Sequence, residues 1–301
     1  MAIFLLANPT SGGSSSSHSW LESARRRLGE QVGRWTEVAV RPGEDITAMT
    51  TALIPEAELI FVAGGDGTVR AVAQALMNTE IPLAILPTGT VNVLARELGI
   101  YALDPATTVD IGLGAHTRVI DVGVCNDSIF LLMCSGGIDS ATVGQVNAGL
   151  KNAVGATAYA FAAFGALTTF TPPTVRITID GVALPETDIF LVAVGNTSLY
   201  GGDLKLLPAA SLEDGLLDIA IFTAPVLPAS IRNAAFLPQL ADAALGRHAQ
   251  SDNIWIYQGK DIRLESDQPL LLQSDGDLSI TTPAIFTISS RALHIKTLTA
   301  A

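Results

Sequence analysis

Three apolar segments in the first ninety residues each run straight into a short, glycine-bearing polar loop, and that repetition restricts the fold more than any other feature. Ile3-Phe4-Leu5-Leu6-Ala7 leads into Asn8-Pro9-Thr10-Ser11-Gly12, the segment 58–63 into Gly64-Gly65-Asp66-Gly67-Thr68, and 82–86 into Pro87-Thr88-Gly89-Thr90. Apolar runs of this length bounded by turn residues read as strands buried on both faces. Another strand is expected over 35–40, and a serine-rich loop is expected around Ser14–Ser17. Helical patterns lie between: 20–33, with Leu21, Ala24, Leu28 and Val32 on one face, then 45–53, 68–77, and 90–98 ending at Gly99. Strand–helix alternation with short connections predicts a parallel sheet with helices on its faces. Such sheets bind ligands outside the carboxyl ends of their strands, so the three loops are expected to share one crevice.

The pattern changes near Asp121. Strands dominate from there: 120–124, 129–133, 175–179, 189–194, 217–222, 254–257, 262–265, 270–273 and 286–289. Asp180-Gly181 between alternating runs is a hairpin signal. The expected organisation is a nucleotide-binding α/β domain over 1–121 and a larger, mainly antiparallel, β-sandwich-like domain over 122–289. A helical insertion is expected at 226–248, with a last strand near 290–298 packing back on the first domain.

Charge narrows the partners. A net charge of −12 argues against a general nucleic-acid binder and against broad adhesion to anionic membranes. Arg25, Arg26 and Arg27, with Arg34 and Arg41 not far beyond, are read as a solvated helix face, a local docking patch being the alternative. Cys125 and Cys134, the only two cysteines, sit in apolar runs outside any CxxC pair, so neither a disulfide framework nor a zinc site is expected. Together with an N-terminus lacking a signal-peptide pattern, this points to a reducing, cytoplasmic setting. The uncharged, Ala-rich stretch 153–170 reads as a buried or membrane-facing helix; a spanning helix wants a more strongly apolar run of about 20 residues.

The Gly64–Thr68 loop suits phosphate. Glycines let backbone N–H groups approach oxygens closely, and the following helix presents unpaired N–H groups and a positive dipole end. Asp66 would repel an anion unless it acts through Mg²⁺ or hydrogen-bonds the loop into shape. A metal–nucleotide site is the expectation.

Asn8-Pro9-Thr10-Ser11-Gly12, Gly64-Gly65-Asp66-Gly67-Thr68 and the run from Leu86 through Arg96 together resemble the diacylglycerol kinase catalytic-domain family. That family includes soluble bacterial diacylglycerol kinases, YegS-like lipid kinases and sphingosine kinases. The likeness continues through Gly195-Asn196, Tyr200-Gly201-Gly202, Pro208-Ala209-Ala210, Asp214-Gly215-Leu216-Leu217-Asp218 and Asp275-Gly276-Asp277. It implies an NAD kinase/diacylglycerol kinase-like fold and ATP- and Mg²⁺-dependent phosphorylation of a primary hydroxyl on a lipid such as diacylglycerol. ATP would be held between the domains by Asn8, Pro9, Thr10, Ser11, Gly12, Gly64, Gly65, Asp66, Gly67, Thr68, Val69, Arg70, Gly89, Thr90 and Asn92. Asp66 would join a Mg²⁺ network with Asp121, and Asp277 would be the general base. A structural Mg²⁺ would be bound by Asp214 and the carbonyls of Ser211 and Leu216, oxygen donors of the kind hard cations take. Peripheral contact with the inner membrane face and a homodimer are compatible with this reading.

The chain departs from the family's usual pattern twice. An Asn-Asp pair is common where this chain has Asn92-Val93, and Asp-Gly-Glu where it has Asp275-Gly276-Asp277. Asp is one carbon shorter than Glu, about 1.5 Å of reach. Two rival readings remain. An NAD kinase shares Gly-Gly-Asp-Gly-Thr and a Thr-Ala-Tyr triplet like Thr157-Ala158-Tyr159. A non-catalytic nucleotide- or lipid-binding protein on the same scaffold is the other.

Overall fold

The computed structural model describes residues 2–9, 15–140, 170–201, 204–248 and 251–298. The expected helix over 153–170 falls outside them except for Phe170, as do Thr10, Ser11, Gly12 and Gly202. The chain divides into two compact units, Met1–Val122 with Ser289–Ala301, and Gly123–Ile288.

The first unit alternates β1 (Ile3–Ala7), α1 (Ser15–Gln31), β2 (Thr36–Ala39), α2 (Ile46–Leu53), β3 (Leu59–Gly64), α3 (Asp66–Leu76), β4 (Leu83–Pro87), α4 (Val93–Glu97) and α5 (Pro105–Leu113). Strands β4, β3, β1 and β2 lie side by side in parallel register, with Ala7 opposite Ala63 and Gly64 opposite Pro87. β1 and β3 are buried throughout, the fully apolar signature of strands covered by helices on both faces. Leu21, Ala24 and Leu28 of α1 pack against Leu5, Phe61 and Val109.

Two expectations are corrected here. Helix α1 begins at Ser15, inside the serine run read as a loop, because its buried face outweighs the weak helix propensity of serine. The second correction is α5, which was not foreseen; Asp104 caps it by accepting N–H bonds from Ala106 and Thr107, and Pro105 occupies its first position. The arginine-rich face of α1 is partly spent in ion pairs, Arg25 with Glu37 and Glu22 and Arg27 with Asp110.

The chain leaves the first unit along β5 (Thr117–Cys125) and returns along β18 (Ala284–Lys296), whose Ile295 pairs parallel with Leu83. The second unit holds β6 (Ser128–Phe130), β7 (Met133–Gly137), β8 (Thr174–Ile179), β9 (Val182–Ala183), β10 (Thr187–Gly195), β11 (Leu199–Tyr200), β12 (Leu204–Lys205) and β13 (Leu217–Thr223). After two short helices, α6 (Ala229–Arg232) and α7 (Phe236–Ala244), come β14 (Ile254–Gly259), β15 (Asp261–Ser266), β16 (Leu271–Ser274) and β17 (Asp277–Thr281).

Pairing within this unit is antiparallel. One ladder runs β17-β16-β7-β10-β13-β14 and another β8-β15-β18. Strand β13 shows why it forms two cores. Leu217, Ile219 and Ile221 enter a cluster with Val175, Leu264 and Phe286, whereas Ala220 and Phe222 face a second cluster around Phe190 and Phe236. The period of two therefore buries both faces of one strand. The Asp180-Gly181 hairpin forms as expected, with φ of 48° and 81° and Ile179 opposite Val182. Cys125 and Cys134 are buried free thiols.

Candidate functional site

The three glycine-bearing loops leave neighbouring parallel strands, and the backbone stitches them together. The N–H of Asn8 donates to the Ala63 carbonyl at 2.9 Å, and those of Thr88 and Gly89 donate to the Gly64 carbonyl at 3.3 and 3.2 Å. Asn8 Nδ2 also donates to Thr68 Oγ1 at 2.9 Å. A Cβ on Gly89 would lie 2.4 Å from the Gly65 Cα, so only glycine lets these two loops close. Helix α3 starts at Asp66 with Gly65 as its N-cap, so Asp66-Gly67-Thr68 of the glycine loop form the first helical turn. Such a turn carries N–H groups without helical acceptors and a positive dipole end, a ready anion site.

Asp66 ties the glycine loop to the start of α4. Its Oδ2 accepts the Val93 N–H at 3.1 Å and its Oδ1 the Leu94 N–H at 3.2 Å, across the start of α4. Burial pushes its pKa up, and the hydrogen bonds from Val93 and Leu94 oppose that rise. Of the two roles open to Asp66, shaping the loop is the one its bonds display. Asn92 takes a left-handed conformation (φ 52°), and its amide folds onto Gly89, accepting the Gly89 N–H and donating to the Gly89 carbonyl. Val69 is buried and its N–H is bonded to the Gly65 carbonyl, while Thr90 and Gly67 are exposed. Arg96 lies over the Tyr101 ring at 3.7 Å and donates to the Val91 carbonyl, bracing the loop from behind. A cavity of about 130 Å³ opens beside Asn8 and Thr88, walled by His18, Leu21, Arg25 and Glu37. Asp121, buried in the same unit, accepts the Arg291 N–H at 2.7 Å.

The second unit carries the remaining candidates. Asp214 is exposed, and its Oδ1 accepts the Leu216 N–H at 3.0 Å in a tight turn that begins at Ser211. Asp218 is 1% exposed; its Oδ2 accepts from Gln258, whereas its Oδ1 has no hydrogen-bond partner. Burial raises the Asp218 pKa, Gln258 lowers it, and the charge of Asp214 raises it again. A buried carboxylate oxygen without a donor, in the field of a second carboxylate, fits a hard cation better than it fits an isolated turn. Among the described residues no three His, Cys, Asp or Glu side chains group as a ligand set, so main-chain carbonyls such as those of Ser211 and Leu216 would have to complete one.

Asp277 is exposed at the first position of β17, directly after a two-residue turn in which Asp275 (φ 48°) and Gly276 (φ 91°) are both left-handed. This turn is anchored heavily. The Asp275 carboxylate accepts the N–H groups of Leu131, Leu132 and Met133 at 2.8–3.1 Å. Behind it lies a buried polar network absent from the sequence reading. The Asp139 carboxylate accepts from Ser135 Oγ, Tyr200 OH and Gln273 Nε2, and Gln273 Oε1 accepts the Gly276 N–H at 2.6 Å. A polar residue directly after an apolar run, as Gln273 is after Leu270-Leu271-Leu272, was the available signal.

A parallel α/β unit with strand-end phosphate loops, joined to an antiparallel β unit, is the architecture of the NAD and diacylglycerol kinases. A solved diacylglycerol kinase from Bacillus anthracis matches this fold with a TM-score of 0.78, covering 99% of this chain and 97% of that one at 24% identity. An ATP complex of an NAD kinase from Archaeoglobus fulgidus matches with a TM-score of 0.53 over 98% and 93% at 14% identity. Residues 2–125 match the diacylglycerol kinase catalytic domain, and 133–297 the YegS C-terminal NAD kinase beta sandwich-like domain. The diacylglycerol kinase of Bacillus subtilis is 29% identical, covering 97% of this chain and 94% of its own. A probable YegS-like lipid kinase from Pseudomonas aeruginosa is 34% identical over 68% of each chain. The chain belongs to the diacylglycerol kinase/YegS-like kinase family, a family of phosphotransferases.

Proposed function

We propose that this protein transfers the γ-phosphoryl group of ATP·Mg²⁺ to a primary hydroxyl of a lipid such as diacylglycerol. The observation carrying the reading is the closure of two strand-end loops, at Gly64, Gly65 and Gly89, around one helix terminus, with Asn8 at the end of β1 bonded to the same place. Backbone N–H groups of this cradle bind the phosphates, and Asn8 and Thr68 hold its two rims together. The cavity beside Asn8 and Thr88 supports a seat for the nucleobase. Mg²⁺, when bound, would supply neutralisation of phosphate charge; Asp66, with Asp121, would hold it in the first unit, and Asp214 with Asp218 would hold a structural ion in the second.

Asp277 takes the proton of the acceptor hydroxyl. The oxygen then forms its bond to the γ-phosphorus while the bond to the β,γ-bridging oxygen breaks and ADP leaves. Positioning and charge neutralisation dominate such transfers, so the shorter Asp serves where relatives have Glu. Peripheral contact with a lipid surface belongs to the same reading. Its support is the run of exposed apolar side chains Val226, Leu227, Ile231, Leu237, Leu240 and Leu245; no helix among the described residues is long and apolar enough to cross a membrane.

Incubation of the protein with γ-labelled ATP, Mg²⁺ and a panel of diacylglycerol, phosphatidylglycerol, a sphingoid base, a polyprenol and NAD tests this directly. Label is expected on a lipid alcohol. Label on NAD alone, or ATP binding with transfer to nothing, would sink the lipid-kinase reading. Asp277→Ala is expected to cut turnover by at least ~100-fold, the scale of a lost general base.

A further inference from the structure

Residues far apart in sequence converge behind the turn that carries Asp277, and their hydrogen bonds run in one direction. Gln273 is 4% exposed and Ser135 1% exposed. The Asp139 carboxylate is an acceptor on both oxygens, receiving Tyr200 OH on Oδ1 and Ser135 Oγ with Gln273 Nε2 on Oδ2. An acceptor-only partner fixes which end of an amide faces it. The nitrogen of Gln273 must therefore face Asp139 and Ser135, which leaves Oε1 facing the Gly276 N–H at 2.6 Å. Gly276 immediately precedes Asp277.

The strand ladder reaches the turn, with Ser274 opposite Asp277 and Cys134, and the Asp275 N–H donates to the Met133 carbonyl at 3.0 Å. Pairing of β16 with β17 shifts register between Leu272 and Gln273, passing from Leu272 opposite Ile280 to Gln273 opposite Leu278. A bulge at that point bends the strand and re-aims the side chains beyond it, Asp277 among them. Side chains add to that backbone pairing: Asp275 accepts three N–H groups of residues 131–133, and Gln273 accepts the Gly276 N–H.

We propose that Gln273 is a positioning residue of the phosphoryl transfer, an amide clamp, oriented by Asp139, Ser135 and Tyr200, that sets where the Asp277 carboxylate stands. The inference rests on the reading of Asp277 as the base. It assigns the buried network a part in turnover, through placement of that carboxylate, with no direct contact between Gln273 and substrate.

The test uses Gln273→Met, which keeps length and bulk, and Gln273→Asn, which is too short to span Asp139 and Gly276. Amide hydrogen exchange needs no acceptor lipid: exchange at Gly276 is expected to rise about 10-fold in each variant, the scale of one lost hydrogen bond. Unchanged exchange at Gly276 overturns the clamp. The kinetic arm uses labelled ATP and dioctanoylglycerol in mixed micelles. Gln273→Met is expected to lower kcat about 10- to 100-fold, the cost of a misplaced reacting group, with KM for ATP unchanged. In an Asp277→Ala background the same substitution is expected to cost nothing further. Equal losses in both backgrounds would make Gln273 a purely structural residue and overturn the proposal. If Asp277→Ala is inactive while Gln273→Met turns over normally, the clamp fails and the base reading stands. If Asp277→Ala itself turns over normally, both fall.

Discussion

The two units solve one problem with the same device set in different surroundings. In the first, the Asp66 carboxylate accepts the N–H groups of Val93 and Leu94, 27 and 28 residues further along. In the second, Asp275 accepts those of Leu131, Leu132 and Met133, 142 to 144 residues earlier. Each carboxylate pins a functional loop to backbone from another part of the chain. The first does so among glycine loops, where backbone groups form the binding surface. The second does so in front of a buried side-chain network, where a side chain, Asp277, is what must be placed. Glycine and backbone build a site for an anion; a clamped hairpin presents a single carboxylate.

Removing each pin gives the largest expected effects. Asp275→Ala strands three N–H groups, and about 3–5 kcal/mol of stability should go, since each unsatisfied buried group costs about 1–3 kcal/mol and neighbouring losses do not add fully. Trp255, packed against the second unit's core, reports it in a urea titration. Asp66→Asn retains one acceptor but turns an amide nitrogen toward a backbone N–H, so a smaller loss of about 1–3 kcal/mol is expected, followed through Trp20 and Trp35 in the first unit's core. If Asp66→Asn proved the more damaging of the two, the equivalence of the devices would break.

Glycine substitutions sharpen the contrast. At Gly89 the added carbon meets Gly65 backbone at 2.4 Å and Asn92 Oδ1 at 2.7 Å, and the backbone cannot yield without opening the cradle. Gly89→Ala should weaken ATP binding at least ~10-fold, the equivalent of about 1–3 kcal/mol of overpacking, measurable by calorimetry. Gly276 has nothing within 4 Å of such a carbon, only its φ of +91°. Gly276→Ala should therefore cost about 1–2 kcal/mol of conformational strain and leave ATP affinity unchanged. Matching ATP affinities in the two variants would mean that close approach is not what the glycine loops provide.

This contrast also explains what could be read before the fold was known. The loops at Asn8, Gly64 and Pro87 were legible because their chemistry is local: a strand, then residues that suit a turn. Helix α5 carried a legible start in Asp104-Pro105, but Thr107, Thr108 and Val109 are poor helix formers and masked it. The hairpin signal recognised at Asp180-Gly181 recurs at Asp275-Gly276, where it announces β17, yet the motif reading there drew attention to Asp277 instead. Ser135 and Gln273 meet through the pairing of β7 with β16, and Asp139 and Tyr200 reach them from the segments that follow β7 and β10; no periodicity within a segment expresses that.

The smallest expected effect concerns pH and separates the units by sign. Burial raises the Asp66 pKa, so the folded first unit binds more protons than the unfolded chain just above the ordinary carboxylate value of about 4. Its stability should fall as pH rises through the folded pKa. In the second unit burial lowers the pKa of His248, with the Leu206 backbone and Asp242 opposing. There the unfolded chain binds more protons below about pH 6.5, so stability should rise with pH and be lost as pH falls toward the folded value. Asp218, raised chiefly by burial, adds an acid of the Asp66 kind to the second unit, so the diagnostic measurement is a difference between variants. Urea midpoints followed through Trp20 and Trp35, and separately through Trp255, should respond to two substitutions independently between pH 4.5 and 7.5. Asp66→Asn should flatten the falling limb of the first unit, and His248→Gln the rising limb of the second. A His248→Gln variant whose second-unit midpoint keeps its full rise across pH 6 would show that another group in that unit carries the proton linkage.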